Sequence, residues 1–231
     1  MKTPTSKSEV LAWLKKKGSK RVVAGMARYG IPTEGAVGIS VGTLRGLAKQ
    51  IGQDHALAQQ LWTSGCYEAR LLAAMIDDPK LVTKEQMNAW AKGFTSWADC
   101  DTACFCLFDR SPPAYAVARQ WTKSQREFVK RGGFALMASL ALHDKKADDK
   151  RFLPFLPLIE KGASDERNFV KKGVSWGLRG IGKRPGLKTA AIKVAKRLAE
   201  RDDAASRWVG KDALRDLAKV KAKPKPTKKA T

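Results

Sequence analysis

The sequence predicts an all-α fold, and three observations carry that prediction. Apolar residues recur at helical spacing through most of the 231-residue chain. Helix breakers (Gly18, Gly65, Pro79, Gly162 and Pro185) fall between these runs, about one helix or helix pair apart. No alternating run bounded by hairpin dipeptides occurs.

Taken in order, the segments explain themselves. "SEVLAWLKKKG" starts on Ser8, carries Glu9 in its first turn and stops on Gly18. "YEARLLAAMIDDP" sets Leu71, Leu72, Met75 and Ile76 on one stripe and halts before Pro79. "TKEQMNAWAKG" is bounded in the same way, and "PAYAVARQWTK" opens on a proline at a first-turn position. "DERNFVKKGVSWGLRGIGK" and "RWVGKDALRDLAKV" continue the helical period. Trp13, Trp62, Trp90 and Trp121 fit apolar stripes and belong to the predicted core.

An internal repeat refines the fold class. "FVKRGGFAL" starts at Phe128, "FVKKGVSWGL" at Phe169 and "WVGKDALRDL" at Trp208, offsets of 41 and 39 residues. Helix pairs of the HEAT or armadillo type recur every ~40–47 residues. One such pair cannot cover its own apolar face, so pairs stack into a solenoid. The expected architecture is therefore a curved α-solenoid of stacked HEAT-like helix pairs, a single domain over residues 1–218. Stacking also lines up equivalent positions. Lys130 and Arg131 follow Phe128 as Lys171 and Lys172 follow Phe169, so a basic stripe is expected, with Arg179, Lys183 and Arg184 two to three turns further along the later helix.

The net charge is +23. Six of those charges are lysines of "KVKAKPKPTKKAT", a Pro- and Lys-rich tail over 219–231 that is expected to be disordered, which leaves +17 on residues 1–218. Such a body suits a polyanion, and nucleic acid is the first candidate. No run of about 18 apolar residues points to a membrane span, and the N-terminus lacks the apolar region of a secretory signal. Cys66, Cys100, Cys104 and Cys106 match neither zinc spacing nor a disulfide framework and read as reduced, mostly buried thiols of a cytosolic protein.

Most catalytic motifs are missing. There is no phosphate-binding P-loop, and the glycines of "GISVGTLRG" do not make a dinucleotide fingerprint. His55 and His143 are the only histidines and neighbour no plausible nucleophile, so both read as structural or surface residues and a His-rich metal site is excluded. The Asp77–Asp78 and Asp202–Asp203 pairs sit at helix boundaries, where capping explains them. What remains is "TSWADCD", two carboxylates beside a tryptophan in an apolar neighbourhood. Trp97 and Asp101 are four apart and share a helical face, whereas Asp99 lies about 200° round from Asp101 and is expected to cap the helix or stay in solvent. Trp176, in "VSWGLRGIGK", and Tyr29, in "MARYGIP", are the other aromatics set beside basic or loop residues.

Together, "MARYGIP…VGISVGTLRGLAK", "EARLLAAMIDDP", "WADCD", "FVKRGGFALMASLA" and "FVKKGVSWGLRGIGK" resemble the AlkD-type alkylpurine DNA glycosylases, which are built of HEAT-like repeats. The resemblance runs from about Lys20 to about Leu217. It implies a C-shaped solenoid that cradles double-stranded DNA and cleaves the N-glycosidic bond of cationic N3- and N7-alkylated purines, with no metal and no organic cofactor. It places the catalytic aspartate on Asp101, its aromatic partners on Trp97 and Trp176, a further aromatic on Tyr29, a phosphate-contacting arginine on Arg131 and another basic contact on Arg179. Lys130, Lys172, Lys183 and Arg184 complete the expected DNA-binding set. The chain is expected to work as a monomer in the cytoplasm, at the nucleoid. Gly132 and Gly133 stand where a helix interior favours Ala, and close backbone approach to DNA is one reading of them. The family also includes members that bind DNA, branched forms among them, without base excision. That alternative needs the basic stripe but not the carboxylate, while a protein-binding scaffold would show an apolar or mixed groove.

Overall fold

A computed structural model describes residues 3–219. Thirteen α-helices follow one another: Lys7–Lys17 (α1), Lys20–Met26 (α2), Val41–Ile51 (α3), His55–Trp62 (α4), Tyr67–Ile76 (α5), Lys84–Lys92 (α6), Trp97–Cys106 (α7), Ala114–Trp121 (α8), Glu127–His143 (α9), Phe155–Gly162 (α10), Asn168–Gly182 (α11), Lys188–Ala199 (α12) and Ala204–Ala218 (α13). Short 3-10 turns cover Ala27–Tyr29, Phe108–Arg110 and Asp149–Arg151. The described residues contain no strand, and none of their helices is long and apolar enough to cross a membrane. Apart from Lys219, the tail expected to be disordered lies outside the described residues.

The helices form two layers of an α-solenoid. α3, α5, α7, α9, α11 and α13 pack in succession as one layer, and α4, α8, α10 and α12 each lie against the inner helix that follows them. One hydrophobic cluster runs between the layers from Val10 to Leu217. Its aromatic centre holds Trp62 stacked on Trp90 at 4.0 Å, with Trp121 edge-on to Phe94 and Phe108. Trp62, Trp90 and Trp121 are buried as expected and Trp13 is half-buried.

The three repeated segments fall on α9, α11 and α13, and Phe128 and Phe169 of the first two copies meet at 5.6 Å. Glycine explains how closely these helices approach. A Cβ on Gly180 would stand 2.9 Å from the Ala138 Cα, and one on Gly177 3.2 Å from the Phe134 carbonyl oxygen. Each helical glycine costs up to about 1 kcal/mol relative to Ala, and the contact area between α9 and α11 offsets that cost. Gly132 and Gly133 serve the same end. They face Trp121 and the backbone of Ala118 and Thr122, so they seat α8 on α9 and are not openings towards DNA.

Boundaries differ in small ways. α1 begins one residue earlier than expected, because the Ser6 hydroxyl, not a later serine, accepts the Glu9 N–H. Asp203 caps α13 through the Ser206 N–H. Asp77 is the C-cap residue of α5, its N–H donating to the Ala73 carbonyl, but its side chain does other work. It is buried and accepts from His55 Nδ1 at 2.6 Å and Gln86 Nε2 at 2.7 Å, bracing α4 against α6. His143 likewise bonds the buried Asp109. Both histidines are thus half-exposed structural residues. All four cysteines are free, Cys100 and Cys104 fully buried.

Candidate nucleic-acid interface

The first turn of α7 is fixed by its own sequence. Ser96 and Asp99 form a capping box, and the Asp99 carboxylate also accepts the Thr95 N–H at 2.9 Å. Asp99 is 1% exposed, which answers why a carboxylate occurs here: it terminates a helix. With that turn fixed, Trp97 and Asp101 project from one face, one turn apart.

Trp97 anchors a second segment. Its indole N–H donates to the Tyr29 carbonyl oxygen at 2.8 Å. The chain then turns at Gly30, whose φ of 67° and close approach to the Phe169 ring both favour glycine. Further on, Glu68, buried on α5, accepts the N–H groups of Val37, Gly38 and Ile39 at 2.9, 2.7 and 3.2 Å. Glu68→Ala would leave these donors without their acceptor in a largely buried loop. We expect a loss of about 3 kcal/mol or more, read from the denaturant midpoint.

Tyr29, 67% exposed, therefore stands over a cleft of about 460 Å³ lined by Arg28, Trp97, Arg131, Phe169 and Lys172. Asp101 meets this cleft through Arg131. Arg131 Nε donates to Asp101 Oδ1 at 2.8 Å and Nη2 to Oδ2 at 2.7 Å, while Nη1 donates to the Phe169 carbonyl oxygen at 2.7 Å. One guanidinium thus ties α7, α9 and α11 together. Gly173 makes room for it, since a Cβ there would come within 3.2 Å of the Arg131 side chain. Burial pushes the Asp101 carboxyl above its ordinary value, and the hydrogen bonds and charge of Arg131 pull it back. Desolvation disfavours the Arg131 charge, but the Asp101 contacts more than offset it and hold the guanidinium protonated. Arg131, expected on phosphate, is 7% exposed and bonds the Asp101 carboxylate.

Trp176 is not in this cleft. It lies one turn along α11 from Lys172 and, with Leu142, Lys145 and Lys183, lines a neighbouring cleft of about 580 Å³. The expected basic stripe is interrupted by acids. Lys130 pairs with Asp165 at 2.8 Å, and Lys171 sits over the Trp208 ring at 5.2 Å, so the first cation of each copy turns to the next repeat. Arg179 lies 3.5 Å from Asp212, and Lys183 pairs with Asp216 at 2.9 Å. Arg184 is buried: it pairs with Asp149, donates to the carbonyls of Asp144 and Ala147, and covers Phe152. Its guanidinium is thus engaged mainly within the protein. Lys172 alone of the second-copy cations is both exposed and in the Trp97 cleft. Arg28, Glu68 and Phe169 escape sequence reasoning as site residues; Arg28, next to Tyr29, and Phe169, which opens the second copy of the repeat, carry a local signal.

Comparison with known proteins agrees with this architecture. No functionally curated protein matches the sequence. A solved structure described as "a new family of proteins related to the HEAT-like repeat DNA glycosylases with affinity for branched DNA structures" superposes with a TM-score of 0.75, over 96% of this chain and 99% of that one, at 21% identity. An engineered protein aligns over 77% of this chain and 51% of its own at 14% identity, with a TM-score of 0.43, too low to bear on the fold. Residues 10–217 match the family described as DNA alkylation repair enzyme, so this chain belongs to that family.

Proposed function

We propose that this chain binds double-stranded DNA along its inner helical layer and hydrolyses the N-glycosidic bond of cationic N3- or N7-alkylated purines. The row of Trp97 and Asp101 at a basic cleft carries the reading. An alkylated purine is already cationic and leaves readily. The electron pair of its bond to C1′ departs with the base and neutralises it, and positive charge develops on the deoxyribose. The Asp101 carboxylate supplies the opposing charge, and water adds to C1′ and releases a proton. The Trp97 face attracts the cationic ring by about 0.5–2 kcal/mol. Arg131 positions the carboxylate, and Lys172 and Arg28 lie where phosphates would approach.

One observation favours a second reading, a DNA-binding protein without base excision. Both Asp101 oxygens already accept from Arg131, so the pair presents less net negative charge than a free carboxylate. The structural neighbour described as having affinity for branched DNA agrees with it. Base release from a duplex carrying a single N7-methylguanine separates the two. Release by the native chain is expected. No release, together with salt-sensitive binding to linear and branched duplexes, would leave the second reading.

A further inference from the structure

A second group of cations lies beyond the site described above. The C-terminal ends of α3, α5 and α7 enclose a cleft of about 570 Å³ whose rim holds Arg45, Lys49 and Arg110 and whose floor holds Met75, Phe105 and Cys106. No acidic side chain lines it. All three cations are exposed. Among the described residues neither Arg45 nor Lys49 is ion-paired, and Arg110 only reaches Asp109 at 4.0 Å. Four cations of the α9 and α11 repeats are the reverse case. Lys130, Arg131, Arg179 and Lys183 all have carboxylate partners. Beside Lys172 on α11, unpaired cations therefore also gather away from the repeats in which the sequence shows them most plainly.

The position of this cleft is set by α7. Trp97, Asp101 and Phe105 follow one another at i, i+4 and i+8 on one face, and Phe105 is seated there by an edge-on contact with His143 at 4.4 Å. Trp97 borders the Arg28–Lys172 cleft and Phe105 borders the Arg45–Lys49–Arg110 cleft. Eight residues of helix separate them by about 12 Å, comparable with the ~12 Å width of a B-DNA major groove. Asp101 stands midway along the row.

We propose that Arg45, Lys49 and Arg110 form a second contact for DNA backbone phosphates, across a groove from those held near Arg28 and Lys172, so that Asp101 is bracketed by the two. The proposal rests on the reading of this chain as a DNA-binding protein. Lys49 also faces the negative end of the α3 dipole, and exposed lysine chains are long enough to serve a phosphate beyond it.

The test is the salt dependence of duplex binding by the full chain. The variant Arg45→Gln, Lys49→Gln, Arg110→Gln is compared with a control of equal charge change on the outer layer, Lys161→Gln, Lys193→Gln, Lys196→Gln. Removing one phosphate contact should flatten the log–log slope by about 0.9. The cleft variant is expected to drop by two to three such steps and the control by less than one. The single reversal Lys49→Glu, at an exposed position, should weaken binding at least about tenfold at low salt and guards against misfolding of the triple variant. Equal slopes in the cleft variant and the control, with no effect of Lys49→Glu, would overturn the proposal while DNA binding by the native chain stands. Absence of salt-dependent binding by the native chain would overturn the DNA reading itself.

Discussion

Asp101→Asn is expected to lower release of N7-methylguanine by about a hundredfold or more while duplex affinity is nearly unchanged. Losing one preorganised charge that acts on the transition state typically costs 10²–10³ in rate. Phosphate contacts, which carry most of the affinity, do not involve Asp101. Asn is the informative replacement because it keeps the shape and one acceptor for Arg131, which retains its bond to the Phe169 carbonyl. The loss should fall on kcat and kcat/KM alike, as expected for an interaction made only in the transition state. Acid pH offers a second check. Burial holds the Asp101 carboxyl above its ordinary value, so release by the native chain should begin to fall at a higher pH than an ordinary aspartate would set. The remaining activity of Asp101→Asn should show no such acid limb. Equal rates for native and variant would remove Asp101 from the chemistry.

Much of the fold is legible in the sequence because it rests on local signals. The 41- and 39-residue offsets of "FVKR", "FVKK" and "WVGK" mark α9, α11 and α13, and the aromatic and valine of each copy, with Gly132 and Gly173 in the first two, recur at the same positions. The opening of α7 is equally plain, since Ser96 and Asp99 carry the spacing of a capping box. Partner choice among charges is not. Asp165, Asp212 and Asp216 lie in other segments from Lys130, Arg179 and Lys183, and nothing in the chain's order joins those acids to those bases. Arg184 shows the limit well: the sequence sets it among the DNA-binding cations, yet the fold brings Asp149 and three carbonyls around it. Arg45 and Lys49 go unmarked for the opposite reason. Their cations stand four apart on an ordinary amphipathic helix, and their significance comes from Arg110, more than 60 residues later, joining the same cleft.

Arg131→Met should destabilise the fold by about 3–5 kcal/mol near neutral pH, because it leaves a desolvated carboxylate without its partner. Asp101 is 19% exposed on its side chain, which is too little for water to replace two guanidinium bonds. Phe169 loses its carbonyl partner as well, so the joint between α9 and α11 weakens along with that between α7 and α9. The double variant Asp101→Leu, Arg131→Met should recover most of the loss, since replacing both members of a buried pair by apolar groups of similar size is often neutral. A double-mutant cycle on thermal or denaturant unfolding would show a coupling of at least about 1–3 kcal/mol for residues in such contact. The single variant should be less penalised at acid pH, where Asp101 can take up a proton and cease to be a buried charge. This outcome bears directly on function. A strong coupling means Arg131 is committed to holding Asp101 and the phosphates must be met by Lys172, Arg28 and the Arg45–Lys49–Arg110 cleft. A near-zero coupling would mean that the guanidinium can leave the carboxylate at little cost, freeing Arg131 for a phosphate and Asp101 for the developing charge on the sugar.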